Sequence, residues 1–170
     1  FSFHPVKIVT TAEGGIAITN DKYLCEKMML FRTHGITRDE QAMQGVPDGP
    51  WYYEQVDLGY NYRMTELQAA LGLSQMTRLE EFVTTRNRLA TRYDDKLKKL
   101  PIILPFQSEN TYSSFHLYVI RLNLDIIEKS HKQVFQELRD KGIGVNLHYI
   151  PVHIHPYYQA MGFKIGDFPE

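Results

Sequence analysis

The chain alternates between short β-branched runs and longer stretches with helical spacing. Val6-Lys7-Ile8-Val9-Thr10 and Ile16-Ala17-Ile18-Thr19 flank Gly14-Gly15, a pattern that predicts strand, turn, strand. Asn20 and Asp21 then offer side-chain oxygens to the free amides of a first helical turn. Leu24, Met28 and Phe31 recur at helical spacing behind them, so a helix is predicted over 21–34, closing at His34-Gly35. Residues 36–58 carry Gly45, Pro47, Gly49 and Pro50 among polar residues, which predicts a long irregular loop reaching the Trp51-Tyr52-Tyr53 cluster. Loops of that length in compact domains are functional or mobile. From Met64 to Leu100 the series Leu67, Leu71, Met76, Leu79, Phe82, Leu89, Tyr93, Leu97 predicts one long helix or two in series, bent near 72–76 and stopped by Pro101. Beyond it the pattern predicts a strand over 115–122, a helix over 125–141 ended by Gly142, a strand over 144–149 and a short helix over 156–161. The fold class is α/β, with a small α/β lobe after residue 100.

Composition narrows the partners. The 170 residues hold 19 Lys and Arg against 20 Asp and Glu, a net charge of -1 that gives no general attraction to nucleic acid or acidic membranes. Apolar runs such as 101–106 and 117–120 fall far short of the roughly 20 residues that span a bilayer, so no transmembrane helix is predicted. Cys25 stands alone and cannot form an internal disulfide; its place in an amphipathic helix predicts a buried structural thiol. The chain opens on Phe1 without a charged or apolar leader and closes on Asp167-Phe168-Pro169-Glu170 in mid-phrase, which leads us to expect a piece of a longer protein. No internal repeat or low-complexity segment interrupts it.

Three stretches could carry chemistry. Lys7 lies in an apolar, β-rich run, where a lysine either reaches solvent or becomes an amine able to attack a carbonyl. Asp57-Leu58-Gly59-Tyr60-Asn61-Tyr62-Arg63 enters a helix capped near Thr65; free amides and the helix dipole there suit an anion, although Asn61 and Arg63 could equally satisfy the loop backbone. In His148-Tyr149-Ile150-Pro151-Val152-His153-Ile154-His155-Pro156-Tyr157-Tyr158 three imidazoles invite a metal. The prolines break ligand spacing and no carboxylate is interleaved, so no metal site is expected. These rings could instead stack on a ring-shaped ligand, or pack the small lobe. His34-Gly35 reads as a helix end, and His116, on an apolar strand, as structural.

Taken together the strings resemble the DegT-type sugar-nucleotide aminotransferases, a branch of the fold-type I pyridoxal phosphate enzymes. Ser2, Phe3, His4, Lys7, Thr10, Ala12, Glu13, Gly14 and Gly15 match the cofactor-lysine motif of that family. Gly59-Tyr60-Asn61-Tyr62-Arg63-Met64-Thr65-Glu66 matches a second motif, and His148-Tyr149-Ile150-Pro151-Val152-His153 a third. The resemblance implies pyridoxal 5'-phosphate as cofactor, with Lys7 forming the imine link to it and then carrying the proton, and Ser2 holding its phosphate. Relatives that dehydrate carry His at that place, so Lys7 points to amino transfer. Asn61 is implied to reach the phosphate of the neighbouring subunit, hence in trans and in a homodimer. Arg63, His148, Tyr149 and His153 are implied to border the substrate.

By the same resemblance the reaction moves an amino group, from glutamate, to a UDP-linked 4-keto-6-deoxy sugar in the cytoplasm. The phrases Leu71-Gly72-Leu73-Ser74-Gln75 and Gly162-Phe163-Lys164-Ile165-Gly166-Asp167-Phe168-Pro169 look most like the branch serving pseudaminic acid synthesis. Residues 1–75 would be the end of the large cofactor-binding domain, 76–100 a linking helix and 101–170 a truncated small domain. Members extend further at both ends, and the acidic partner of the cofactor ring precedes the matched lysine motif, so the fragment alone is expected to be inactive. A non-catalytic sugar-nucleotide-binding or regulatory module is the alternative, and a purely structural dimer-forming piece a third reading. A binder has no need of the lysine motif.

Overall fold

A computed structural model describes residues 1–168. Mixed helix and sheet fall into two compact units, Phe1–Asn87 and Arg88–Glu170. Pro169, the last residue of the closing phrase, lies outside the described residues.

In the first unit, α1 spans Lys22–Arg32, and the Asp21 carboxylate accepts from the Leu24 amide at 3.1 Å, the expected cap. Inside the long loop two short strands pair antiparallel: β1, Ile36–Thr37, with β2, Glu54–Gln55, in the register Ile36 to Gln55 and Thr37 to Glu54. The single helix-or-two after residue 64 is two. α2 covers Glu66–Met76 and α3 covers Leu79–Leu97, with the Arg78 amide turning back to the Gln75 carbonyl at 3.0 Å.

Two expectations fail in this unit. Neither 6–10 nor 16–19 forms a strand; the antiparallel contact lies further out, with Ser2 opposite Gly15. Phe3 donates to the Gly14 carbonyl at 2.9 Å and Ile16 to Phe1 at 3.0 Å, so the β-branched residues 6–10 fall inside the loop that this contact closes. A strand needs a neighbour in register; here the Lys7 amide turns back to His4 and the Thr10 amide goes to the Gln75 side chain. Cys25 is exposed, not buried. Only the C-terminal half of α1 is covered, around Leu30 and Phe31, where residues 57–60 lie against it, and Cys25 sits on the open N-terminal half.

The second unit continues α3 and pairs β3, Ile102–Ile103, with β4, Arg121–Leu122, antiparallel. The expected strand over 115–122 shortens to its last two residues, and 144–149 pairs with nothing in a ladder among the described residues. α4 spans His131–Asp140 and starts later than the periodicity suggests. The Ser130 hydroxyl accepts from the Gln133 amide while Gln133 reaches back to the Ser130 amide, and this reciprocal cap fixes the start. At the other end the Ile143 amide donates to Leu138 at 3.0 Å and Gly142 to Arg139 at 2.9 Å, a Schellman closure. A 3₁₀ turn, Val152–Ile154, leads into α5, Pro156–Gln159. Tyr118 donates to the Asp94 carboxylate at 2.5 Å and its ring lies 5.0 Å from that of Tyr93; burial first, then this bond, pushes its hydroxyl pKa up.

Candidate functional site

Lys7 sits half-buried on a loop closed at its base by the pairing of residues 1–3 with 14–16, and its amide donates to the His4 carbonyl at 2.9 Å. Ser2 occupies the base itself, exposed, its hydroxyl accepting from the His4 amide at 3.4 Å. Thr10 cross-braces the loop: its hydroxyl donates to the Phe3 carbonyl at 2.9 Å and accepts from the Ala12 amide at 3.0 Å. Thr11, 1% exposed, donates to the Glu13 carbonyl at 2.7 Å. The Gly14 of the motif has steric work to do: a Cβ there would lie 2.4 Å from the Thr11 hydroxyl and 2.9 Å from the Met64 methyl.

α2 holds this loop from the side. The Gln75 carboxamide oxygen accepts from the Thr10 amide at 3.1 Å, and the Gln68 carboxamide nitrogen donates to the Glu13 carbonyl at 3.0 Å. Between them, a Cβ on Gly72 would come within 2.8 Å of the Thr11 methyl. Positions 68, 72 and 75 share one helix face by the 3.6-residue repeat. Leu67, Leu71, Leu73 and Met76 of the same helix are exposed. The face of α2 that carries Gln68, Gly72 and Gln75 therefore meets the lysine loop, while the leucines stand exposed. Leucine periodicity pointed to the other face; the usable signal was Gln-x-x-x-Gly-x-x-Gln at helical spacing.

Asn61 is set by a second crossing. Tyr60 donates to the Phe31 carbonyl at 2.7 Å, His34 to Tyr60 at 2.8 Å and Tyr62 to Arg32 at 3.0 Å, with Asn61 opposite Thr33. Beyond Thr33 the chain reverses through His34 and Gly35, both at positive φ (61° and 70°), and the Ile36 amide closes the turn on Thr33 at 3.0 Å. Only glycine fits at 35, because a Cβ would fall 1.9 Å from the Asp57 carbonyl oxygen. The His34-Gly35 phrase is thus a helix end, as expected, and also the turn that seats the Asn61 segment. Asn61 and Arg63 are exposed, which weighs against the purely structural reading in which they point into a core. Met64, next in the chain, puts its methyl beside Gly14, so the Asn61-Arg63 segment runs directly to the lysine loop.

The remaining site candidates lie in the second unit. His148 and Tyr149 are exposed, with ring centroids 3.8 Å apart. His153 is half-buried, edge-on to Phe168 at 5.0 Å, in a cluster continued by Phe163 and Tyr158. For His153 the packing alternative describes what the ring touches. Among the described residues no group of three His, Cys, Asp or Glu could hold a metal ion.

A carboxylate outside the expected set organises the long loop. Glu54 accepts from the Gln44 amide at 2.6 Å, the Gly45 amide at 2.8 Å and the Tyr52 hydroxyl at 2.9 Å. These bonds, that from Gln44 foremost, hold its carboxyl below the usual carboxylate range, while the bond to Glu54 pushes the Tyr52 hydroxyl up.

Known proteins resemble this chain over nearly all of its length. The spore coat polysaccharide biosynthesis protein SpsC of Bacillus subtilis is 37% identical over 172 residues, covering 99% of this chain and 44% of that protein. The UDP-4-amino-4,6-dideoxy-N-acetyl-beta-L-altrosamine transaminase of Helicobacter pylori is 36% identical over 162 residues, covering 95% of this chain and 40% of that protein. The chain thus spans well under half the length of these relatives. Among solved structures, Helicobacter pylori PseC, an aminotransferase involved in pseudaminic acid biosynthesis, superposes with a TM-score of 0.82 at 34% identity, over 95% of this chain and 41% of its own. A sugar aminotransferase, Spr1654 of Streptococcus pneumoniae, known in PLP and PMP forms, matches with a TM-score of 0.80 at 29% identity, over 99% of this chain and 42% of its own. The model of the DegT/DnrJ/EryC1/StrS aminotransferase family matches residues 1–170, and the chain belongs to that family, whose cofactor is pyridoxal 5'-phosphate.

Proposed function

We propose that the protein carrying this chain transfers an amino group from glutamate to a UDP-linked 4-keto-6-deoxy sugar, with Lys7 as the residue that binds the cofactor. The observation that carries this is the lysine loop: a primary amine, half-buried, on a segment braced by Thr10 and pinned by α2. The donor set fits the group, since an amine suits its aldehyde and the Ser2 hydroxyl, with the Asn61 carboxamide, suits its phosphate. The bound cofactor supplies an electron sink for the pair left at the substrate carbon when a proton departs.

Each residue then has a part. Lys7 would hold the cofactor through its amine and, once released, would carry the proton from the substrate carbon to the cofactor's aldehyde-derived carbon, the transfer that moving an amino group requires. Ser2 donates a hydrogen bond to the phosphate. The exposed Asn61 does the same for a second copy of the chain, so the working unit is a homodimer. Arg63, on the same strand segment, supplies a cation for an acidic donor or a diphosphate. His148 and Tyr149 offer exposed rings to the sugar or uracil, and His153 holds that loop in place by packing. The protein works in the cytoplasm, residues 1–75 closing the large domain, 76–100 linking and 101–170 belonging to the small one. The 170 residues alone are inactive, because more than half of each relative lies outside the matched stretch.

The support is the family's match over the whole chain, the likeness to the pseudaminic acid transaminases and the integrity of the lysine motif. The test is reductive labelling. Borohydride treatment of the intact protein with pyridoxal phosphate should fix a pyridoxyl group on the peptide holding Lys7, and Lys7→Ala should abolish both label and turnover. A label elsewhere, or turnover surviving the substitution, would overturn the assignment and favour the sugar-nucleotide-binding module.

A further inference from the structure

Most of what holds the lysine loop is local: the pairing at its base and the Thr10 brace both join residues within 1–16. Two hydrogen bonds come from far along the chain, 65 and 55 residues away, and both are made by glutamine side chains of one helix face. The half-buried Thr10 amide has no strand to pair with, and the Gln75 oxygen supplies its acceptor. The Glu13 carbonyl takes its long-range donor from Gln68, whose oxygen simultaneously caps α2 by accepting from the Thr65 amide at 2.9 Å. Gly72 brings the helix close enough for both.

We propose that Gln68 and Gln75 are positioning residues for Lys7: they clamp residues 10–13 from α2 and so fix the direction in which the lysine amine is presented. The proposal rests on the reading of Lys7 as the cofactor lysine. The two glutamines meet opposite demands. Gln75 acts as an acceptor only, a part that a glutamate can also play. Gln68 accepts with one atom to cap the helix and donates with the other to Glu13. A glutamate at 68 keeps the cap but cannot donate.

The experiment uses the intact protein and three variants, Gln75→Met, Gln75→Glu and Gln68→Glu. Amide exchange over residues 10–13 is measured without cofactor. The rate of borohydride-fixed pyridoxyl labelling at Lys7, and the pH midpoint of the absorption of lysine-bound cofactor, are measured with it. Gln75→Met should speed exchange at Thr10 roughly five- to tenfold, slow labelling several-fold and move the midpoint by about half a unit or more. Gln75→Glu should restore Thr10 protection and the labelling rate. Gln68→Glu should loosen residues 10–13 and slow labelling while α2 keeps its own protection.

Faster exchange in Gln75→Met with labelling rate and midpoint unchanged would reduce the clamp to a structural contact and overturn the proposal. So would failure of Gln75→Glu to restore what Gln75→Met loses. If Gln75→Met does not fold, the contrast between the two glutamate variants decides: equal behaviour overturns the clamp. Absence of label on Lys7 in the unsubstituted protein overturns the parent reading, and the clamp's purpose with it.

Discussion

Three donors converge on the Glu54 carboxylate from both sides of the long loop. Its folded pKa lies below the ordinary 4.5, so the unfolded loop binds its proton more readily than the folded one. The contribution is therefore complete above the ordinary carboxylate pKa and lost as pH falls through the lower folded value. Emission of Trp51, one residue from Tyr52, should report a transition confined to that acid range, and Glu54→Gln should abolish it. A transition that persists in Glu54→Gln would assign the change to another carboxylate. Tyr52 moves oppositely: the bond to Glu54 delays its ionisation to higher pH, so the contact does not fail on the alkaline side until above the usual phenol range.

At the level of elements, two helix starts were legible because caps are written locally: Asp21 and Thr65 each sit at an N-terminus and accept from a first-turn amide. Ser130 does the same for α4, but periodicity alone placed that start at 125, ahead of the cap. Ser130→Ala should cost about 1 kcal/mol of stability, read as a lower denaturant midpoint with loss of helical signal from the second unit; an unchanged midpoint would mean that packing, not the cap, holds α4. Strands were much less legible. Val6 to Thr10 has the residues of a strand, but a strand depends on a neighbour whose position no local pattern states, and the pairing fell on Ser2 and Gly15 instead. The same limit explains the site. Lys7, Ser2 and Asn61 stood out through their strings, whereas Gln68 and Gln75 act across more than fifty residues, and the leucines beside them drew attention to the wrong face of α2. Cys25 misled for a related reason: amphipathic spacing says which face is apolar, not how far along the helix something covers it.

Across the whole chain, few side chains are fully covered among the described residues: Val9, Val83 and Ala90 are the buried apolar ones, and Thr11 the buried polar one. Leu67, Leu73, Ile18 and Leu58 are each more than two-thirds exposed. Apolar side chains exposed in this number favour association with other apolar surface. The isolated 170 residues should therefore bind a hydrophobic dye strongly and self-associate in sedimentation, while the intact protein should do neither beyond the dimer proposed above. Weak dye binding by the isolated stretch would show that it buries this surface unaided.

The orientation of α2 carries a warning for anyone redesigning this protein. Stability engineering that follows hydrophobicity alone would replace the inward glutamines with leucine and the outward leucines with polar residues. On this helix such a recipe removes the two bonds to the lysine loop and, with them, the clamp proposed for Lys7. A sequence improved by that criterion would gain a conventional helix and lose its hold on the loop.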